Sequence, residues 1–327
     1  MSAPSFSPSR SRLPVVIDSD PGIDDMLALY LALNSPELDV RAISVSYGNT
    51  EAENAFRNLV EILRLAGRRV SLGLGARRPL TRALCVARET HGESGLGYVP
   101  VPPSGVVLDF MRPLERILAE QREPVTLVTL GPLTSLALAL RSDAALVRAK
   151  VSRHVAMAGN LEAKGNTTKF SEFNAWCDPE ALATVLAAEL PTELVTLDVT
   201  RQFVLDAADV RRLGATETSR TRWLYDALRF YVEFHREHEG LDGCVINDIV
   251  AVAALLDPSV LRFEPARIVV DRNDDERRGR TRIAPEGAAA LVARDVNVQR
   301  IRTLLSERVF RWAATVGPAL VSVGAVA

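Results

Sequence analysis

Short runs of consecutive apolar, β-branched residues at 15–18, 40–46, 70–72, 125–129, 151–157 and 194–197 alternate with stretches at 24–33, 51–65, 111–120, 134–140 and 179–188, where apolar residues recur at helical spacing. Continuous apolar runs suit strands buried on both faces, and their alternation with helices predicts an α/β fold: a largely parallel, Rossmann-like open sheet flanked by helices. Residues 206–256 read as mainly helical, most strongly at 219–237, and this C-terminal region is expected to complete the pocket. Runs at 268–270 and 289–293 add strands before a closing helix at 298–314. Residues 14–327 show neither a composition shift nor a fixed-period repeat and are expected to form one domain, while the Ser/Pro/Arg-rich residues 1–13 read as a disordered tail. Ligands of open sheets sit beyond the carboxyl ends of the strands, so polar residues just after each strand are the candidates for chemistry.

Charge narrows the partners. With 39 basic and 41 acidic residues the net charge is −2, which offers no bulk attraction to nucleic acid or to an anionic membrane. A chain of 327 residues that is 47% apolar and 24% charged has the balance of a folded, enzyme-sized protein. Cys85, Cys177 and Cys244 are widely spaced and form no CxxC pair, which argues against a disulfide framework and a cysteine zinc site and makes a reducing cytoplasm the expected location. No apolar run approaches the ~18 residues that span a bilayer, and the opening residues lack the apolar core of a signal peptide.

The most informative segment is Val15-Val16-Ile17-Asp18-Ser19-Asp20-Pro21-Gly22-Ile23-Asp24-Asp25, with four carboxylates inside eight residues at the end of an apolar strand. So many like charges are costly together without a counterion. Asp18 and Asp20 share a face of the strand, Pro21 and Gly22 turn the chain, and Asp24 and Asp25 open a helix whose N-terminus favours anions. Neighbouring helical residues point ~100° apart, so Asp24 and Asp25 are expected to serve different ligands, one a metal and the other a substrate hydroxyl. All-oxygen ligation favours Ca²⁺ or Mg²⁺ over zinc. The same residues also fit a solvated acidic turn with a helix cap, or an aspartyl phosphatase with Asp18 as nucleophile.

The segment from Asp18 to Asp25 resembles the DxDPGxDD signature of the nucleoside hydrolases, the inosine-uridine preferring N-ribohydrolase family. Further landmarks follow in family order: Gly48-Asn49, the HGxxGLG segment from His91 to Gly97, Gly131-Pro132-Leu133-Thr134, Met157-Ala158-Gly159, Gly165-Asn166, Glu172-Phe173-Asn174, Asp178-Pro179-Glu180, Leu197-Asp198-Val199-Thr200 and Asn247-Asp248. The resemblance implies a calcium ion held by Asp20, Asp25, Asp248 and the main-chain carbonyl of Leu130. It implies that Asp24, Asn49, Asn166, Glu172 and Asn174 surround the ribose hydroxyls, with Met157 against the sugar. The implied reaction is calcium-dependent hydrolysis of the N-glycosidic bond of ribonucleosides, in nucleoside salvage, to free base and ribose. Asp20 would act as general base on a metal-bound water, and Asn174 would support an oxocarbenium-like transition state. The resemblance further implies a homodimer or homotetramer.

One position departs from that pattern. Family members usually carry a histidine immediately before the last calcium-binding Asp, where this chain has Asn247, and an amide donates a hydrogen bond but is no proton donor near neutral pH. His91 is the first candidate to replace that acid at the base. His235 and His238, on the aromatic helical stretch with Trp223, Tyr225, Phe230, Tyr231 and Phe234, are the second, although both also fit exposed helix positions. A divergent member that binds a nucleoside or ribosyl ligand with weak or no hydrolysis is the alternative reading. Glu172 and Asn174 also fit a structural loop before a helix, and Asp248 a helix cap.

Overall fold

Val15, Val16 and Ile17 are fully buried, because helices cover both faces of the strand that carries them. The computed structural model describes residues 11–102, 111–216 and 218–315. The chain runs β1 (Leu13–Ser19), α1 (Ile23–Leu33), β2 (Leu38–Val45), α2 (Ala52–Ala66), β3 (Ser71–Leu74), α3 (Arg88–His91) and α4 (Leu114–Ala119). It continues through β4 (Val125–Thr129), α5 (Thr134–Lys150), β5 (Val151–Met157), α6 (Phe173–Cys177), α7 (Pro179–Ala187), β6 (Thr192–Val195) and α8 (Leu197–Thr200). Next come β7 (Val204–Asp206), α9 (Ala207–Gly214), α10 (Ser219–Glu239), β8 (Gly243–Val245), α11 (Asp248–Leu256), β9 (Leu261–Val270), β10 (Thr281–Ile283) and β11 (Ala288–Val296). α12 (Val298–Leu305), a π-helical turn at Ser306–Phe310 and α13 (Arg311–Ala314) complete the described chain.

Nine strands form one open sheet in the order β10-β9-β11-β6-β5-β4-β1-β2-β3. From β3 to β11 neighbours pair in parallel, and β9 and β10 add an antiparallel edge. The expected largely parallel, helix-flanked sheet is the observed architecture. Ile17, Met26, Phe56, Leu228 and Val250 belong to the apolar cluster on one face, and Val16, Leu136, Leu182 and Val185 to the cluster on the other. From β1 the chain builds outward through β2 and β3, then returns to start β4 on the other side of β1. That reversal opens a crevice beyond the carboxyl ends of β1 and β4, where Asp20 and Leu130 emerge.

Several boundaries differ from the sequence pattern, for physical reasons. The run at 268–270 is only the end of β9, which spans 10 residues and exposes Arg262 and Glu264, so periodicity hid its first half. Segment 206–256 is not helical throughout: β7 and β8 pair as antiparallel strands of three residues each, too short to show a period. Leu197 opens α8 rather than ending a strand, and α5 passes residue 140 to reach Lys150 across a kink at Asp143. Leu13 already belongs to β1, whereas the tail expectation for residues 1–10 lies outside the described residues. Among the described residues no helix is long and apolar enough to cross a membrane.

Candidate active site

The acidic segment folds as a strand end, a turn and a helix start, and each carboxylate is fixed by a different part of it. Asp25 reaches back from the first turn of α1, its Oδ2 accepting the Gly22 N–H at 3.0 Å and the Asn49 Nδ2 at 2.7 Å, while Oδ1 accepts the Ser19 hydroxyl at 2.5 Å. Asp20 Oδ2 accepts the Asn49 N–H at 2.7 Å. Asp20 Oδ1 and Asp24 Oδ1 are buried with no hydrogen-bond partner. Asp248, on the first turn of α11, closes the group from the far end of the chain: oxygens of Asp24, Asp25 and Asp248 lie within 4.8 Å of one another. Oxygens of both Asp24 and Asp25 come within reach of Asp248, although the two side chains leave adjacent positions of the helix. Asp20 stands outside that trio but close enough for its charge to act on Asp25 and Asp248.

Burial, reinforced by mutual repulsion, pushes the Asp20, Asp25 and Asp248 carboxyls above the usual carboxylate range. Burial pushes Asp24 up to about 6, against hydrogen bonds that include those from Asn247. Buried like charges with orphaned oxygens are unfavourable alone and favourable around a cation, and oxygen-only donors suit a hard one. The residues present therefore fit a divalent ion. The Leu130 carbonyl faces the same cavity, where it accepts the Asn174 Nδ2 at 2.6 Å.

Asp24, Asn49, His91, Leu130, Met157, Asn166, Glu172, Asn174, Asn247 and Asp248 line one cavity, with Asp20 and Asp25 buried behind them. Glu172 caps α6: its Oε1 accepts the Asn174 N–H at 2.7 Å, and its Oε2 accepts those of Gly159 at 2.8 Å and Ala175 at 2.9 Å. Asn174 Nδ2 also donates to the Met157 carbonyl at 3.0 Å, so the amide oxygen is the atom left for a ligand. Asn166 is exposed at the mouth, its Oδ1 accepting the Phe173 N–H at 2.9 Å. Opposite, Asn247 Oδ1 accepts the Thr200 hydroxyl at 2.8 Å. His91 Nδ1 accepts the Ile23 N–H at 3.1 Å, and burial pushes its pKa down to about 4.

The inosine-uridine preferring nucleoside hydrolase family profile matches residues 15–303. The chain belongs to that family. It is 36% identical over 309 residues to the pyrimidine-specific ribonucleoside hydrolase RihA of Salmonella gallinarum, covering 90% of this chain and 98% of the relative. Among solved structures it resembles a plant nucleoside hydrolase, with a TM-score of 0.84 at 30% identity over 90% of this chain and 98% of the other. It also resembles the purine-preferring ribonucleoside hydrolase of Gardnerella vaginalis, with a TM-score of 0.85 at 28% identity over 92% and 99% of the two chains. The protein is a hydrolase acting on N-glycosyl compounds.

In this nucleoside hydrolase the remaining candidates separate cleanly. Asp18 is fully buried beside Ser44 of β2 and Ser135 of α5, and burial pushes its pKa up to about 7. His235 is buried and lines the cavity, whereas His238 is exposed and faces Glu89, its Nε2 lying 3.2 Å from Oε1. Asp178 holds the Leu80 N–H and the Thr134 hydroxyl, both at 2.7 Å, and is structural. Sequence reasoning gave no role to Thr200, Arg201 and Glu239 in the site. The signal for Glu239 was its spacing, since Tyr231, His235 and Glu239 repeat every fourth residue of α10 and all line the cavity.

Proposed function

We propose that this enzyme hydrolyses ribonucleosides with Ca²⁺ as its metal, releasing free base and ribose. The observation that carries the reading is the convergence of Asp24, Asp25 and Asp248 beside a partnerless Asp20 oxygen and a cavity lined with amides. Asp20, Asp25, Asp248 and the Leu130 carbonyl would hold the ion, with Asp24 close enough to join them or to take a ribose hydroxyl. When bound, such a cation acidifies neighbouring water and offsets the repulsion among the carboxylates.

The chain's own groups do the rest. Asp20 takes the proton of the attacking water and aims it at the anomeric carbon, its Oδ1 being free for the purpose. Asp24, Asn49, Asn166 and Asn174 each supply polar atoms suited to ribose hydroxyls, which both donate and accept. Glu172 lines the cavity with Oε1 accepting a single N–H, so it can both take a ribose hydroxyl and hold Asn174 near the sugar ring, where the amide oxygen favours developing positive charge. Met157, at the end of β5, packs beneath the sugar. Ribose release from a panel of common nucleosides tests the reading: turnover should need Ca²⁺ and should fall by about 100-fold or more in Asp20→Asn. No ribose from any member of the panel with Ca²⁺ present would overturn it. The three unpaired cysteines support a cytoplasmic setting for salvage. The family resemblance supports a homodimer or homotetramer, which light scattering measures.

A further inference from the structure

Asn247, His91 and His235 line the cavity, and the backbone has already decided what each can do. Asn247 is held by Thr200 through its Oδ1, and its polar groups face Asp24. His91 uses Nδ1 to accept the Ile23 N–H, so its one proton sits on Nε2, and protonating Nδ1 would break that bond at the start of α1. His235 is the reverse. Its Nδ1 lies 2.9 Å from the Tyr231 carbonyl, which only accepts, so Nδ1 carries a proton and Nε2 is left with a lone pair. Taking a second proton on Nε2 leaves that bond in place and strengthens it, against a burial that pushes the imidazole's pKa down. Edge-on contact with Tyr231, at 4.5 Å between ring centroids, and with Phe234, at 5.4 Å, fixes it further. The charged and titratable groups facing His235 are Tyr231, Glu239, Arg201, His238 and His91. Arg201 pairs with Glu239, keeping an anion one helical turn from the imidazole.

We propose that His235 is the acid that protonates the departing base in this hydrolase. The inference rests on the hydrolytic reading of the site given above. As the bond from C1′ to the base nitrogen breaks, its electron pair stays with the base, and the His235 Nε2 proton neutralises the charge that forms there. Water adds to C1′ and gives its proton to Asp20, and exchange with solvent returns a proton from Asp20 to His235, so one water is consumed per nucleoside. The test compares the nucleoside that is turned over fastest with p-nitrophenyl riboside, whose phenolate leaves without protonation. In His235→Gln the nucleoside rate should fall about 100-fold, and at least about tenfold further than the p-nitrophenyl riboside rate. The same holds for His235→Phe, and turnover of the activated substrate shows that each variant is folded. In His91→Gln the two substrates should lose rate together. Equal losses on both substrates in the His235 variants, a nucleoside rate within about threefold of the parent, or a selective loss in His91→Gln instead would each overturn the assignment. A parent enzyme that releases ribose from no nucleoside would overturn the hydrolytic reading itself.

Discussion

At the scale of single residues, the site depends on close approach as much as on charge. A Cβ on Gly131 would stand 2.6 Å from Asp20 Oδ1, and one on Gly48 would stand 1.9 Å from Oδ2, so these glycines let the backbone fold tightly around the carboxylate proposed to activate water. Gly131→Ala should therefore cut kcat by about 100-fold or more through a displaced Asp20, while the folded far-ultraviolet spectrum persists. A rate near the parent's would show that Asp20 tolerates the shift. Glu172 predicts a different consequence. Its two oxygens accept three backbone N–H groups, and an amide NH₂ in place of either would face a donor. Glu172→Gln should cost about 2 kcal/mol or more in a denaturant titration and lower activity through Asn174. The acidic turn holding Asp20, Asp24 and Asp25 was visible in the sequence, while the proposed metal-binding set Asp20, Asp25 and Asp248 came from resemblance. The roles of Thr200 and Glu172 were not visible there, because a hydroxyl or carboxylate reveals its partner only once both backbones are placed.

At the scale of elements, the central strands carry a polar residue that does no chemistry. His154 on β5 is fully buried between β4 and β6, its Nε2 3.0 Å from the Thr129 hydroxyl and its Nδ1 3.1 Å from that of Thr192. Burial pushes its pKa down to about 3 from an ordinary value of 6.5. The unfolded chain therefore takes up this proton first, and the contribution is present above pH 6.5 and lost as pH falls toward 3. Stability should drop through that window with a limiting slope of about 1.4 kcal/mol per pH unit from this group, relative to His154→Gln. Asp18 acts in the opposite sense: with its folded pKa raised from 3.8 to about 7, its contribution is present below pH 3.8 and lost as pH rises through 7. The difference between parent and variant isolates the histidine, and parallel urea midpoints at pH 6.5 and pH 4.5 would refute it. Most core strands and helices were readable from periodicity, because burial on both faces demands continuous apolar runs. β7, β8 and the first half of β9 were not, being too short or too polar on one side.

At the scale of the whole molecule, folding brings the end of β1 and the start of α11 to one point, storing carboxylate repulsion that a cation relieves. Calcium at about 100 times its dissociation constant should add about 2.7 kcal/mol to folded stability, seen as a higher thermal midpoint that EDTA reverses. An unchanged midpoint with and without Ca²⁺ would count against the metal assignment. The sequence by itself determined the alternation of strand and helix, the acidic turn after β1 and the family landmarks, because each is written in neighbouring residues. Only the tertiary structure decided that Asp248 comes within reach of Asp24 and Asp25, that Asp18 sits against Ser44 and Ser135, and that His91 and His235 present opposite ring nitrogens. Those outcomes depend on which distant backbone N–H or carbonyl each side chain meets, and local sequence carries no record of that meeting.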